Sequence, residues 1–231
     1  GMALVEIENL SYQYGKLDAL SDITLSLPQG EIIGLLGQNG AGKTTLIKIL
    51  CGLLPNYTGQ VRIDGQPIGV YTKSIVSYLP DKTYFRRNET IGGAIRLFRD
   101  FYKDFDEKKA REMVNDLWLT EKQKIYTMSK GTQEKLQIVF VMSRKAKLYV
   151  LDEPMAGIDP VAREYIRNTI LQQYTQDATL LLSTHLLQDV EQLFDRAIFM
   201  QSGKILRNVE VDTLRAETGL SLDQYFREVF G

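Results

Sequence analysis

The chain has 231 residues, and 28 Lys+Arg against 29 Asp+Glu leave a net charge of −1, which excludes a nucleic-acid binder held by overall positive charge. Its 44% hydrophobic and 25% charged residues exclude disorder and allow a sizeable core. One cysteine, Cys51, and one histidine, His185, exclude an intramolecular disulfide and cysteine-rich or multi-histidine metal centres. No apolar run reaches the length of a bilayer-crossing helix, so the sequence reads as that of a soluble, cytoplasmic protein.

Residues 3–10, 22–27 and 60–64 alternate or cluster apolar side chains as strands do. Four short apolar runs, 31–36, 75–79, 148–151 and 179–183, lack polar alternation, as strands covered on both faces do. Helical periodicity separates them at 44–53, 107–118 and 162–174. Strands alternating with helices predict an α/β fold built from βαβ units around a mostly parallel sheet. The stretch 85–145 shows helices and no convincing strand, and is expected to be an inserted helical subdomain. Its 98–124 segment carries 7 basic and 7 acidic residues, the mark of a solvated helix surface. Ser221 and Gln224 predict a capping box before a final amphipathic helix. Trp118 and Cys51 are assigned to packing.

Gly37-Gln-Asn39-Gly40-Ala-Gly42-Lys43-Thr44 fits the phosphate-loop pattern G-x-x-x-x-G-K-[ST], after an apolar run and at the start of a helix. The glycines let successive N–H groups face phosphate oxygens, Lys43 reaches the β- and γ-phosphates, and the Thr44 hydroxyl ligates Mg²⁺. The run 148–151 ends in Asp152-Glu153-Pro154, placing Asp152 at the carboxyl end of a strand where ligand sites collect. Asp152 is expected to hold Mg²⁺, and Glu153, pointing elsewhere, to polarise the attacking water. His185 follows the 179–183 run on the same edge; taken alone it reads as a polar residue opening a helix, and together with the other motifs it is expected to be oriented to the γ-phosphate and the water. Asp159-Pro160 reads as an N-cap and first-turn proline, and Ser129 taken alone as another N-cap.

Taken together these residues resemble the ATP-binding subunits of ABC transporters, over essentially all of residues 1–231 as a single ATPase domain. Met128-Ser129-Lys130-Gly131-Thr132 is similar to the family's signature motif, Ala156 to Pro160 to its D-loop, and Ser183-Thr184-His185 to its switch histidine. The resemblance implies a P-loop NTPase fold with a mostly parallel core, an antiparallel β subdomain and the helical subdomain at about 85–145. It implies ATP and Mg²⁺ as ligands, with ATP contacted by Tyr14 (stacked on adenine), Gly37, Asn39, Gly40, Gly42, Lys43, Thr44 and Thr45. Catalytic roles fall to Glu153, His185 and Lys43, and metal contacts to Thr44, Asp152 and Asp81. Ser129, Gly131 and Asp159 would serve a second copy, or a paralogous subunit, in a head-to-tail dimer.

Two departures stand out. Leu79-Pro80-Asp81 replaces the glutamine that usually ends the 75–79 strand, and Lys130 and Thr132 replace Gly and Gln in the signature. Both resemble an exporter-type subgroup. The implied partner is a multi-span permease, no nucleic acid is expected, and the implied location is peripheral, on the inner face of the plasma membrane. Tyr84, Phe85, Phe98, Phe101, Tyr102 and Phe105 are candidates for the groove that receives it. The alternative reading is a soluble ATPase of the same type acting on ribosomes or nucleic acid.

Overall fold

The computed structural model describes residues 3–83, 85–188 and 190–230. Strands β1 (Ala3–Tyr14) and β2 (Leu17–Pro28) form an antiparallel hairpin that turns at Gly15, φ +59°. Then come β3 (Ile32–Leu36), α1 (Lys43–Leu50), β4 (Thr58–Ile63), β5 (Gln66–Pro67), α2 (Val70–Ile75) and β6 (Val76–Leu79). Helices α3 (Ile91–Phe101), α4 (Glu107–Asp116) and α5 (Lys130–Met142) follow before β7 (Leu148–Asp152). The chain continues through α6 (Pro160–Gln173), β8 (Thr179–Thr184), β9 (Arg196–Gln201), β10 (Lys204–Glu210), α7 (Val211–Thr218) and α8 (Leu222–Phe230).

Two sheets result. One is antiparallel, in the order β2-β1-β4-β5; the other runs β10-β9-β3-β8-β7-β6, parallel except for the β10 edge. The apolar runs lack polar alternation because successive residues feed two different cores. In β3, Ile32 and Leu36 pack with α5 and α6, whereas Ile33 and Leu35 pack with α1 and the antiparallel sheet. The same division holds in β7, where Tyr149 and Leu151 face one core and Leu148 and Val150 the other. A third core, centred on Phe98, Phe105 and Phe140, holds α3, α4 and α5 together; Phe98 stacks on Phe140 at 5.1 Å.

Arg144 joins that third body to the parallel sheet. Its guanidinium donates to both carboxylate oxygens of Asp104, to the carbonyls of Ser74 and Val76, and lies 3.8 Å from the Tyr102 ring centre. Several boundaries differ from the sequence reading. Helix α1 stops at Leu50, not Leu53, because Gly52 turns the chain at φ +77°. Strands β9 and β10 and helix α7 come as additions: Ala197–Met200 is a four-residue apolar run like the others, fully buried. Trp118 is a correction. It is 94% exposed with φ +61°, because helix α4 ends before it and the left-handed turn swings the indole outward. Cys51 packs in the core as expected.

Candidate functional site

The phosphate loop leaves the carboxyl end of β3 and enters α1. Gly40 and Gly42 take φ +86° and +105°, and a Cβ on Gly42 would meet the Ala19 carbonyl at 2.9 Å, so only glycine fits there. Helix α1 has no side-chain N-cap and no acidic residue in its first turn, which leaves its N–H groups and positive dipole end to an anion. Lys43 is 5% exposed and donates to the Gly37 carbonyl at 2.5 Å and to Glu153 Oε1 at 3.0 Å. Burial pulls its pKa below the usual lysine value, and the charge of Glu153 opposes that shift.

Asp152 is fully buried at the end of β7, on the edge shared with the loop. Its Oδ2 accepts from Thr44 Oγ1 at 3.0 Å and its Oδ1 from Ser183 Oγ at 2.7 Å. Burial raises its pKa, against the lowering effect of those two hydrogen bonds, and the nearby charge of Asp81 adds to the rise. Glu153 takes φ +49°, which turns its side chain away from Asp152; its N–H donates to the carbonyl and hydroxyl of Ser183, each at 3.1 Å. His185 Nδ1 lies 2.9 Å from Glu153 Oε1, within hydrogen-bond distance. Glu153 Oε2 is buried and has no hydrogen-bond partner among the described residues.

Lys43, Thr44 and Glu153 border a cavity of about 480 Å³ also lined by Tyr14, Asn39, Gly40, Gly42, Thr45 and Asp81, whereas Gly37, Asp152 and His185 do not line it. The Tyr14 hydroxyl is 3.4 Å from Thr45 Oγ1 and its ring stands edge-on to Tyr12, which packs against the core and leaves the lining to Tyr14. Leu17, Asp18, Ala19, Ser202 and Gly203 complete the wall and were not singled out from sequence. The Gly203 N–H donates to the Ala41 carbonyl and the Gly203 carbonyl accepts from Ser21, so the β9–β10 turn clamps the loop against β2. The signal for that turn was present in Ser202-Gly203 directly after the apolar run Ala197–Met200, and both residues take positive φ in the hairpin.

Ser129, Gly131 and Asp159 lie together elsewhere. Ser129 caps α5 by accepting from the Thr132 N–H at 3.2 Å, and Asp159 caps α6 by accepting from the Ala162 N–H at 2.8 Å. A Cβ on Gly131 would come within 3.6 Å of Asp159 Oδ2. None of the three lines the cavity. Among the described residues no three acidic, histidine or cysteine side chains converge on one metal point. The oxygens of Thr44, Asp152 and Asp81 are instead the hard donors that suit Mg²⁺ sharing a phosphate and waters, and the orphaned Glu153 Oε2 marks a polar position left for a further donor.

Among the aromatic candidates, Phe98 and Phe105 are buried in the third core, Phe85 packs against Phe140, Phe101 is 73% exposed, and Tyr84 lies outside the described residues. Phe98, Phe101 and Tyr102 line a separate groove of about 560 Å³ between α3 and the β6 edge.

Comparison with known proteins gives consistent results. The description of the ABC transporter family matches residues 20–156. An uncharacterized ABC transporter ATP-binding protein of Methanocaldococcus jannaschii is 31% identical over 217 residues, 91% of this chain and 79% of that one. The SkfA peptide export ATP-binding protein SkfE of Bacillus subtilis is 31% identical, covering 91% of this chain and 90% of its own length. A solved structure described as an ATP-binding subunit of an ABC transporter superposes with a TM-score of 0.88 at 28% identity, covering 99% of this chain and 100% of that one.

Proposed function

The chain belongs to the ABC transporter family, as an ATP-binding subunit with ATPase activity, and from that premise we propose that it hydrolyses ATP to drive an exporter through a separate membrane permease. The observation that carries the reading is the continuous linkage of Thr44 to Asp152 to Ser183 to Glu153, with Lys43 and His185 on the same Glu153 oxygen; Lys43, Thr44 and Glu153 line one cavity.

In this reading the loop N–H groups and Lys43 hold the phosphates and Tyr14 stacks on the adenine. Thr44, Asp152 and Asp81 hold Mg²⁺, which when bound neutralises phosphate charge. Glu153 accepts a proton from water as the water oxygen bonds to the γ-phosphorus; the bond to the bridging oxygen breaks, and its electron pair leaves with ADP. His185 holds the Glu153 carboxylate in place. Gly37 accepts from Lys43 and fixes where its ammonium sits.

Ser129, Gly131 and Asp159 act on a second nucleotide, in a head-to-tail dimer with another copy or a paralogous subunit. Their position away from the cavity, at the N-terminal ends of α5 and α6 where N–H groups suit an anion, supports this. The groove between α3 and β6 receives a cytoplasmic helix of the permease and places the subunit on the inner face of the plasma membrane. Cys51 ends α1 in that groove while Lys43 begins α1 in the cavity, and Pro80 lines one while Asp81 lines the other. Two short rigid paths therefore join nucleotide and partner. Among the described residues no helix is long and apolar enough to cross a membrane. Export rests on the resemblance to SkfE and on the Lys130 and Asp81 variants.

Glu153→Gln tests the reading. With Mg-ATP the variant is expected to bind nucleotide and accumulate as a dimer by light scattering; a monomer at saturating Mg-ATP overturns the dimer mechanism.

A further inference from the structure

The groove between α3 and β6 carries a cation as well as apolar walls. Among the described residues two charged side chains line it, Lys73 and Arg144, and no acidic residue does. Arg144 is already matched, since Asp104 takes both ends of its guanidinium and two carbonyls take the remainder. The Lys73 ammonium makes no hydrogen bond or ion pair among the described residues, while the backbone N–H of this residue donates to the Gly69 carbonyl. Its position is nevertheless defined: the stem crosses Gly52, where an added Cβ would lie 2.5 Å from Lys73 Cε, so the missing side chain makes room for the lysine. Lys73 is exposed and lines the groove together with Leu53, so its charge is open to a partner lying there.

We infer that the groove takes an amphipathic helix bearing an Asp or Glu beside its apolar stripe, with that carboxylate paired to Lys73. The inference rests on the reading of this groove as the permease's docking surface and adds the chemistry of the docking segment. Charge complementarity supports it: the net charge of the lining, once Asp104 neutralises Arg144, is one unmatched positive charge at the edge of an apolar floor. A single-chain amphiphile would also meet a cation and apolar walls. It would leave in water the two rims, Leu53 (54% exposed) and Phe101 (73% exposed), which stand on different elements and which a helix lying across the groove covers together.

Three synthetic helical peptides with one common Leu/Ile stripe, differing only in Glu, Gln or Lys at a single flanking position, test this against the full chain by fluorescence anisotropy. The Glu peptide is expected to bind about fivefold more tightly than the Gln peptide at low salt, with the Lys peptide weakest. That advantage is expected to vanish in Lys73→Gln and at high salt. Equal binding of all three peptides, lost in Phe101→Ser, overturns the inference and leaves the groove as a helix-docking surface. Absence of binding by every peptide overturns both. Oleate bound in the groove with a Lys73 dependence that the peptides lack makes the occupant a single-chain amphiphile and likewise overturns the inference.

Discussion

The ammonium of Lys43 and the carboxylate of Glu153 meet at 3.0 Å with only 5% and 13% of their side chains exposed. The residue proposed to hold phosphate and the residue proposed to activate water therefore share one buried pair. Breaking such a pair from one side leaves a buried charge uncompensated and costs about 3–5 kcal/mol. Lys43→Ala is expected to abolish ATP binding and to destabilise the fold by that order in urea unfolding. The double variant Lys43→Ala with Glu153→Ala is expected to recover part of the loss. Additive single effects would mean that the pair is not coupled.

Glu134 gives a pH dependence with a defined sign. It is 5% exposed on α5, and burial pushes its carboxyl up to about 7; Lys130, one turn earlier, opposes the rise and Asp81 adds to it. A folded-state pKa above the ordinary carboxylate value of about 4.5 means that its favourable contribution is complete below about 4.5 and lost as the pH rises through about 7. Glu134→Gln is expected to match the parent near the acid end of that window and to exceed it by on the order of 2 kcal/mol well above neutrality. Urea denaturation across that range checks it; a difference independent of pH contradicts the assignment.

Ser183 deserves a variant of its own because one hydroxyl serves both carboxylate residues, donating to Asp152 and accepting from the Glu153 N–H. Ser183→Ala removes the partner of a buried carboxylate oxygen and is expected to cost about 1–3 kcal/mol. Turnover is expected to fall at least about tenfold with little change in ATP affinity, because Lys43 and the loop are untouched. Ser183→Thr, which keeps the hydroxyl, is expected to restore most of the rate. Loss of ATP affinity equal to the loss of rate would place Ser183 in binding instead.

Lys43, Thr44 and Asp152 were legible in the sequence because their chemistry depends on fixed local spacing: a loop of defined length opening a helix, and an acid at the end of an apolar strand. The α/β architecture was legible for a similar reason, since strands covered on both faces lose polar alternation. What escaped depends on contacts between distant segments. Ser202 and Gly203 reach the cavity only because β9 lies beside β3, and Ser183 acquires its two partners only because β8 lies beside β7. Strand β9 itself matched the apolar-run pattern at Ala197–Met200, and β10 did not because an edge strand with half-buried and exposed positions gives a weak signal. Trp118 misled because its helical spacing assumed that α4 continues, whereas the helix had already ended.

The exposed indole of Trp118 carries the last prediction. Its backbone sits at φ +61°, just past the end of α4, with its N–H on the Asn115 carbonyl and the Leu119 N–H reaching back to Val114. This is the position where glycine ends helices without steric cost, while an L-residue loses roughly 1–2 kcal/mol to the clash of Cβ with the backbone. At 94% exposure the ring recovers nothing by burial. Trp118→Gly is therefore expected to stabilise the chain by on the order of 1 kcal/mol, after the extra freedom of glycine in the unfolded state is deducted. Trp118→Ala keeps the Cβ and the strain, and is expected to stay near the parent. Urea unfolding followed by circular dichroism separates the two, because it does not depend on the fluorescence of this single tryptophan. A Trp118→Gly variant less stable than Trp118→Ala would show that the left-handed turn is not where the cost lies.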